Sequence, residues 1–231
     1  MLRIMLLNPK GGCGKTTIAA SLASYYAACG LRTALEDHDS QGSSTRWLSV
    51  RPQDSPRIHG VAAFRSACGV TRTWQMRLPS DVERVVVDTS AGLDLTQIPE
   101  MVHRSDHIVV PVLASRIDID AAQDFLALLA RTPAVRQGKR RVAVVANRLR
   151  GNRRLVREFK SFLAEQQFPF VASLRDSSNY ERCAELGVGV HDLDARRTLT
   201  DLDQWRPLLA WLDSTRLSTG SESRTGVAGS A

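Results

Sequence analysis

No run of apolar residues approaches the ~20 needed to span a bilayer as a helix. The apolar opening Met1–Leu7 is too short for the hydrophobic region of a secretory signal and suits a first strand instead. Cysteine is scarce: Cys13, Cys29, Cys68 and Cys183 are widely spaced and form no C-x-x-C. That spacing argues against a disulfide framework or a zinc site and fits reduced thiols in the cytoplasm. Aromatic residues make up 6% of the chain. They do not alternate with basic ones, and no helix-turn-helix or zinc-finger pattern occurs, so any nucleic-acid binding should be independent of sequence. There is no internal repeat. Acidic residues are lacking in one place above all. Between Lys139 and Lys160 stand nine basic side chains against Glu158 alone. This stretch therefore carries +8 of a chain whose net charge is +7.

What remains is a chain of 231 residues, 43% hydrophobic and 24% charged. It is long enough for one α/β domain with a proper core, expected over residues 1–213. The Ser/Gly/Thr-rich segment Ser214–Ala231 is expected to be a disordered tail. The most informative segment is Asn8-Pro9-Lys10-Gly11-Gly12-Cys13-Gly14-Lys15-Thr16-Thr17. It follows the first strand and opens an Ala-rich helical run. Three glycines let backbone N–H groups curl around an anion, and the following helix turns its positive end to the same point. Lys15 adds a full charge and Thr16 a hydroxyl for Mg²⁺. This is a phosphate-binding P-loop in its expected strand–turn–helix setting. Its spelling departs from the common pattern, with Pro9 where the first glycine falls and an additional lysine, Lys10, at the front.

Hydrophobic periodicity continues the alternation of strands and helices. Strands are expected at Leu2–Leu7, Leu31–Glu36, Val82–Val87, His107–Leu113, Arg141–Ala146 and Phe168–Leu174. Helices are expected at Lys15–Cys29, Ser43–Val50, Leu95–His103, Asp118–Arg131, Asn152–Gln166, Asp176–Leu186 and Thr200–Leu212. The region Arg51–Ser80 shows no steady period; a short helix near Val61–Ala67 and a strand at Thr71–Arg77 are expected there. This order predicts a mostly parallel central sheet flanked by helices on both faces. The P-loop, Asp37–Gln41 and Asp88–Gly92 then meet at the carboxyl ends of strands, where such sheets bind ligands. Hydrolysis of a Mg·nucleotide needs this set: a carboxylate for the metal, one for the attacking water, and a glycine whose amide turns to the γ-phosphate. His38, and His103 with His107, lack further ligands for a metal and are expected to have a tuning or purely structural role.

The segment Lys10–Thr17 resembles the deviant P-loop of the ParA/MinD family of ATPases, K-G-G-x-G-K-[ST]-[ST]. Asp37–Gln41 resembles the family's D-x-D-P-Q, with Ser40 in place of proline. Asp88–Gly92 resembles its D-T-P-A-G, with Ser90 in place of proline. Proline fixes φ, so both serines loosen the switch backbones while leaving the acids in place. The resemblance implies ATP and Mg²⁺ as cofactors, held by Gly11, Gly12, Cys13, Gly14, Lys15, Thr16, Thr17, Gly92 and an adenine-contacting Asn147. It implies Thr16, Asp39 and Asp88 near the metal, and Lys10, Lys15, Asp39 and Asp88 as the catalytic set. Lys10 would act across the interface of an ATP-bound homodimer.

Because the chain starts at the P-loop strand, the likeness is to short ParA-type proteins, including McdA-like carboxysome-positioning ones. These imply association with nucleoid DNA through Arg150, Arg153, Arg154, Arg157 and Lys160, and a cargo-bound ParB-like or McdB-like adaptor that stimulates hydrolysis. Two alternatives stay open. A MinD-like membrane switch would need a basic amphipathic helix at the extreme C-terminus, where the sequence offers Ser, Gly and Thr, so no membrane partner is expected. A small-molecule ATP-dependent enzyme on the same scaffold would have no use for Lys10 or the basic stretch.

Overall fold

A computed structural model of the chain describes residues 1–65, 76–150, 153–164 and 167–214. Among these residues seven strands form one sheet: β1 Leu2–Leu6, β2 Thr33–Asp37, β3 Ile58–Ala62, β4 Arg84–Asp88, β5 His107–Leu113, β6 Arg141–Leu149 and β7 Phe170–Arg175. Their order is β3-β2-β4-β1-β5-β6-β7, and every pairing is parallel. The helices are α1 Lys15–Ala28, α2 Ser43–Ser49, α3 Ile98–His103, α4 Arg116–Arg131, α5 Pro133–Arg136, α6 Arg153–Ala164, α7 Ser178–Leu186 and α8 Ala195–Asp213. None of the described helices is long and apolar enough to cross a membrane.

Buried parallel strands place successive side chains on opposite faces, so both faces need cover. Ile4 and Leu6 of β1 face a core built with Ile18, Leu22 and Tyr26 of α1 and with Trp205, Leu208 and Leu212 of α8. Met5 and Leu7 face a second core with Ile98 of α3, Phe125 and Leu129 of α4, and Phe159 of α6. Trp47 of α2 is buried against the first core, as its helical position predicts. β1 thus runs through the middle of the molecule, and the turn after it opens at the carboxyl edge of the sheet.

Three features differ from the expectations. The sheet gains an edge strand, β3, and Val61 belongs to it, not to a helix. Only one of its five residues is buried, so no alternation marked it. The strand expected at Thr71–Arg77 lies mostly outside the described residues, as does the tail beyond Ser214. β6 runs on through Asn147 to Leu149, and α8 starts at Ala195, where Asp194 accepts a hydrogen bond from Arg196 N.

The long β6 also separates the basic stretch. Lys139, Arg140 and Arg141 lie at its amino end; Arg148 and Arg150 lie at its carboxyl end, from which α6 runs back along the sheet to pack Phe159 on Phe170 at the start of β7. At the amino end Arg140 donates to His103 O at 2.8 Å, and the Arg141 guanidinium stacks 4.4 Å from the Trp211 ring centre. The charge that is continuous in sequence is therefore divided by the length of β6, and the part at its amino end is engaged in holding the fold.

Candidate functional site

At the carboxyl edge of the sheet lies a cavity of about 360 Å³. Its floor is Gly12, Gly14, Lys15, Thr16 and Thr17; Asp39 and Ala91 border one side, and Asn147, Asp176 and Tyr180 the other. The loop beneath it is set by backbone conformation. Gly12 and Gly14 take φ of 73° and 94°, in the region that L side chains avoid. Gly14 also caps α1, whose first turn holds no acidic residue to satisfy its positive end. A Cβ at Gly14 would stand 2.0 Å from Asn147 Nδ2. That contact exists because Asn147 Nδ2 donates to Cys13 O at 2.8 Å. Asn147 therefore borders the cavity and grips the P-loop as well, and its amide oxygen takes no part in that grip.

Lys15 is buried, with 6% exposure. Its Nζ donates to Asn8 O at 2.8 Å and to Lys10 O at 3.1 Å. Asn8 in turn is fixed by donating Nδ2 to Pro111 O, and it accepts from Lys10 N. These bonds hold the front of the loop between β1 and β5. Cys13 points inward: its thiol is 1% exposed, donates to Lys10 O at 3.3 Å, and is pushed up in pKa by burial. Within this loop the Cys13 backbone faces Asn147 while its side chain belongs to the core, which the sequence pattern did not reveal. Lys10 extends outward to Asp118 of α4, with Nζ 3.5 Å from Oδ1.

The two acids lie on neighbouring strands. Asp88 ends β4 fully buried, and its Oδ2 accepts a hydrogen bond from the Ser44 hydroxyl at 2.6 Å. Burial pushes its pKa up to about 6, against the hydroxyls of Ser44 and Thr16 and with the help of nearby Asp37. Its Oδ1 is buried and has no hydrogen-bond partner among the described residues. An orphaned carboxylate oxygen beside the Thr16 hydroxyl suits a hydrated divalent cation, since buried charge requires compensation. Asp39 lies on the loop after β2 and lines the cavity. Its backbone N donates to Asp37 Oδ1 at 3.1 Å, and its Oδ1 accepts from Gln41 N at 2.9 Å. Gly92, with φ of 66°, donates its amide to Pro9 O at 2.9 Å.

Several residues shape this site in ways the sequence did not signal. Asp37 Oδ2 accepts from both Thr45 N and Thr45 Oγ1 at 2.8 Å, so the first acid of D-x-D orders the loop and α2. Ser44 and Asp118 reach the site from residues whose spacing matched no motif. Arg148 has φ of 53° and, together with Arg150, approaches Asp176 at 3.4 and 2.7 Å. Arg157 and Lys160 are exposed on α6, whereas the side chains of Arg153 and Arg154 fall outside the described residues. His38 pairs with buried Glu36, which also takes Arg3; His107 packs edge-on to Trp211.

Comparison with known proteins agrees with this geometry. The family model for the CobQ/CobB/MinD/ParA nucleotide binding domain matches residues 4–190. The maintenance of carboxysome distribution protein A of Halothiobacillus neapolitanus is 25% identical over 194 residues, covering 84% of this chain and 88% of that protein. The chromosome-partitioning ATPase Soj of Thermus thermophilus is 53% identical over 51 residues, covering 22% of this chain and 20% of its own. Among solved structures, a putative plasmid partition protein of Borrelia burgdorferi B31 bound to AMPPNP superposes with a TM-score of 0.66 at 16% identity. It covers 91% of this chain and 99% of that one.

Proposed function

The chain belongs to the CobQ/CobB/MinD/ParA nucleotide-binding family, and on that premise we propose that it is a ParA-type ATPase. In this reading it dimerises around ATP, binds DNA without sequence preference, and positions a cargo. A cargo-bound adaptor of the ParB-like or McdB-like kind stimulates hydrolysis and release. The observation that carries the reading is the meeting of three loops at one cavity: the P-loop, the loop bearing Asp39, and the loop after β4, which brings Ala91 to the cavity and follows the buried Asp88.

Each group has a task that its position allows. The amides of Gly11–Thr17 and the Lys15 ammonium bind the phosphates at the end of α1. Lys15 then exchanges its two loop carbonyls for phosphate oxygens. Asp39 orients the attacking water, and water's oxygen displaces ADP from the terminal phosphorus. Thr16 and Asp88 would hold Mg²⁺, which when bound neutralises phosphate charge and polarises the bond that breaks. Gly92 gives up Pro9 O to meet the γ-phosphate with its amide. Lys10 leaves Asp118 to reach the partner's nucleotide. Asn147, Asp176 and Tyr180 surround the nucleoside.

DNA binding is assigned to Arg150, Arg153, Arg154, Arg157 and Lys160, on a stretch that begins at the cavity end of the sheet and follows α6 away from it. The relatives named for carboxysome distribution and chromosome partitioning support a protein compartment or a DNA locus as cargo. The test is phosphate release with ATP and Mg²⁺, alongside gel-shift of a random DNA duplex with and without ATP. Wild type should hydrolyse slowly and shift DNA only with ATP. Asp39→Ala should retain the shift and lose hydrolysis, whereas Arg153→Ala with Arg157→Ala should do the reverse. Turnover without any ATP-dependent DNA shift would leave an ATPase of another kind.

A further inference from the structure

Helix α2 is fastened at both ends, and the two ends lead to different halves of the cavity. Its amino end follows Asp39 directly. There Thr45 is capped by Asp37, and Ser44 holds Asp88. Its carboxyl end runs into Arg51, whose side chain is 6% exposed. Arg51 Nη1 donates to Gly187 O at 3.0 Å and to Ser24 Oγ at 2.9 Å, and it lies 3.6 Å from Asp192 Oδ2. The guanidinium also lies over the Trp47 ring, and Trp47 Nε1 donates to Val188 O at 3.2 Å.

Gly187 ends α7. A Cβ there would stand 2.5 Å from Arg51 N, so the two backbones touch. The first turns of α7 carry Tyr180, Glu181 and Ala184 into the cavity. Nearer the cavity, α2 and α7 are parted by a groove of about 400 Å³ between Trp47, Tyr180 and Cys183. The two helices therefore form a wedge joined at the Gly187–Arg51 end and open toward the nucleotide. Phosphate groups are bound by the P-loop, so it is the nucleoside that meets α7. A helix pressed at one end and bonded at the other moves as a unit, because its internal hydrogen bonds resist local bending.

We propose that Arg51 is a positioning residue that carries occupancy of the nucleoside half of the cavity from α7 through α2 to the loop bearing Asp39. The adenosine part of ATP then accelerates cleavage of a bond it does not touch, the use of remote binding energy at the reacting centre. This rests on the ATPase reading above. Inorganic triphosphate provides the comparison: in both substrates water attacks the terminal phosphorus, the bridging P–O bond breaks, and ADP or pyrophosphate is the leaving group. Only ATP reaches α7.

The experiment measures kcat and KM for Mg·ATP and Mg·triphosphate in wild type, Arg51→Met, Arg51→Lys and Trp47→Phe, with folding checked by circular dichroism. Wild type should turn over ATP at least about tenfold faster than triphosphate. Arg51→Met should bring the ATP kcat to within about threefold of the triphosphate kcat, which stays unchanged. Arg51→Lys should recover part of the difference. Trp47→Phe, which keeps the ring but loses the bond to Val188 O, should reduce the ratio, and it decides alone if Arg51→Met does not fold. Equal wild-type rates for the two substrates would overturn the inference while leaving the ATPase reading intact. So would variants that keep the wild-type ratio, or that slow both substrates together. No ATP hydrolysis by wild type would overturn the ATPase reading itself.

Discussion

Lys10 and Asp118 face each other across the mouth of the P-loop, Nζ to Oδ1 at 3.5 Å. The lysine proposed to act on a partner's nucleotide is thus held within its own chain. The holder is weak, because Lys10 is 44% exposed and such pairs contribute about 1 kcal/mol or less. Asp118→Ala should therefore shift the ATP-dependent monomer–dimer equilibrium by no more than about fivefold. Lys10→Ala should retain nucleotide binding and abolish the dimer. Light scattering with ATP distinguishes them; a Lys10→Ala variant that still dimerises removes the trans role.

Gly14 and Asn147 occupy space that only a glycine leaves free. Gly14→Ala meets both a strained φ and a Cβ placed 2.0 Å from Asn147 Nδ2. Forcing an L residue there costs about 1–3 kcal/mol before the clash is counted. Asn147→Ala removes the clash and also the grip on Cys13 O. Urea unfolding of the two single variants and the double variant should show strong non-additivity, with the double variant less unstable than the sum. Additive losses would place the cost of Gly14→Ala in the backbone alone.

Asp88 ties stability to pH in an unusual direction. Its folded pKa is raised to about 6 from 3.8, so the folded chain binds its proton more tightly than the unfolded chain. The stabilisation this gives is complete below pH 3.8 and is lost as pH rises through about 6. By linkage it amounts to about 3 kcal/mol between those limits. Other carboxylates titrate too, so the measurement is the difference between wild type and Asp88→Asn in urea unfolding from pH 4 to 7. The gain in stability from Asp88→Asn should grow toward pH 7; a constant difference would contradict the burial argument. In the same range, Mg²⁺-dependent nucleotide binding should weaken below pH 6 as the carboxylate is neutralised.

Cys13 lies within the phosphate loop, but its thiol is buried and its pKa is raised, and both slow alkylation. Iodoacetamide on the native protein should modify exposed Cys29 at least about tenfold faster than Cys13. Mass spectrometry of peptides reads this directly. Cys13 labelling that is fast and blocked by ATP would show a loop more open than the one described.

The P-loop, the placing of Asp39 and Asp88 at strand ends and the central strands were legible because each is a local pattern. A strand, a glycine turn and a helix occupy adjacent residues, and φ-dependent glycines announce the turn. What escaped was the wiring between segments. Ser44 reaches Asp88 across 44 residues and Arg51 reaches Gly187 across 136, with no periodicity to mark either pair. β3 escaped because an edge strand with a single buried side chain does not alternate. The basic stretch was visible as composition, but its division by β6 was not, since charge counting ignores where a strand carries its ends.

That division has a practical side. Arg141, at the amino end of β6, donates to Ser214 Oγ at 3.0 Å, whereas Asn147 stands at the cavity six residues further along. At about 3.3 Å per residue, roughly 20 Å of strand separate the two points. A dye, affinity handle or surface tether attached at Ser214 therefore starts at the end of the sheet remote from the nucleotide. Immobilised through that point, the protein keeps its cavity and Lys10 clear of the surface, so that the proposed binding of nucleotide can be titrated there.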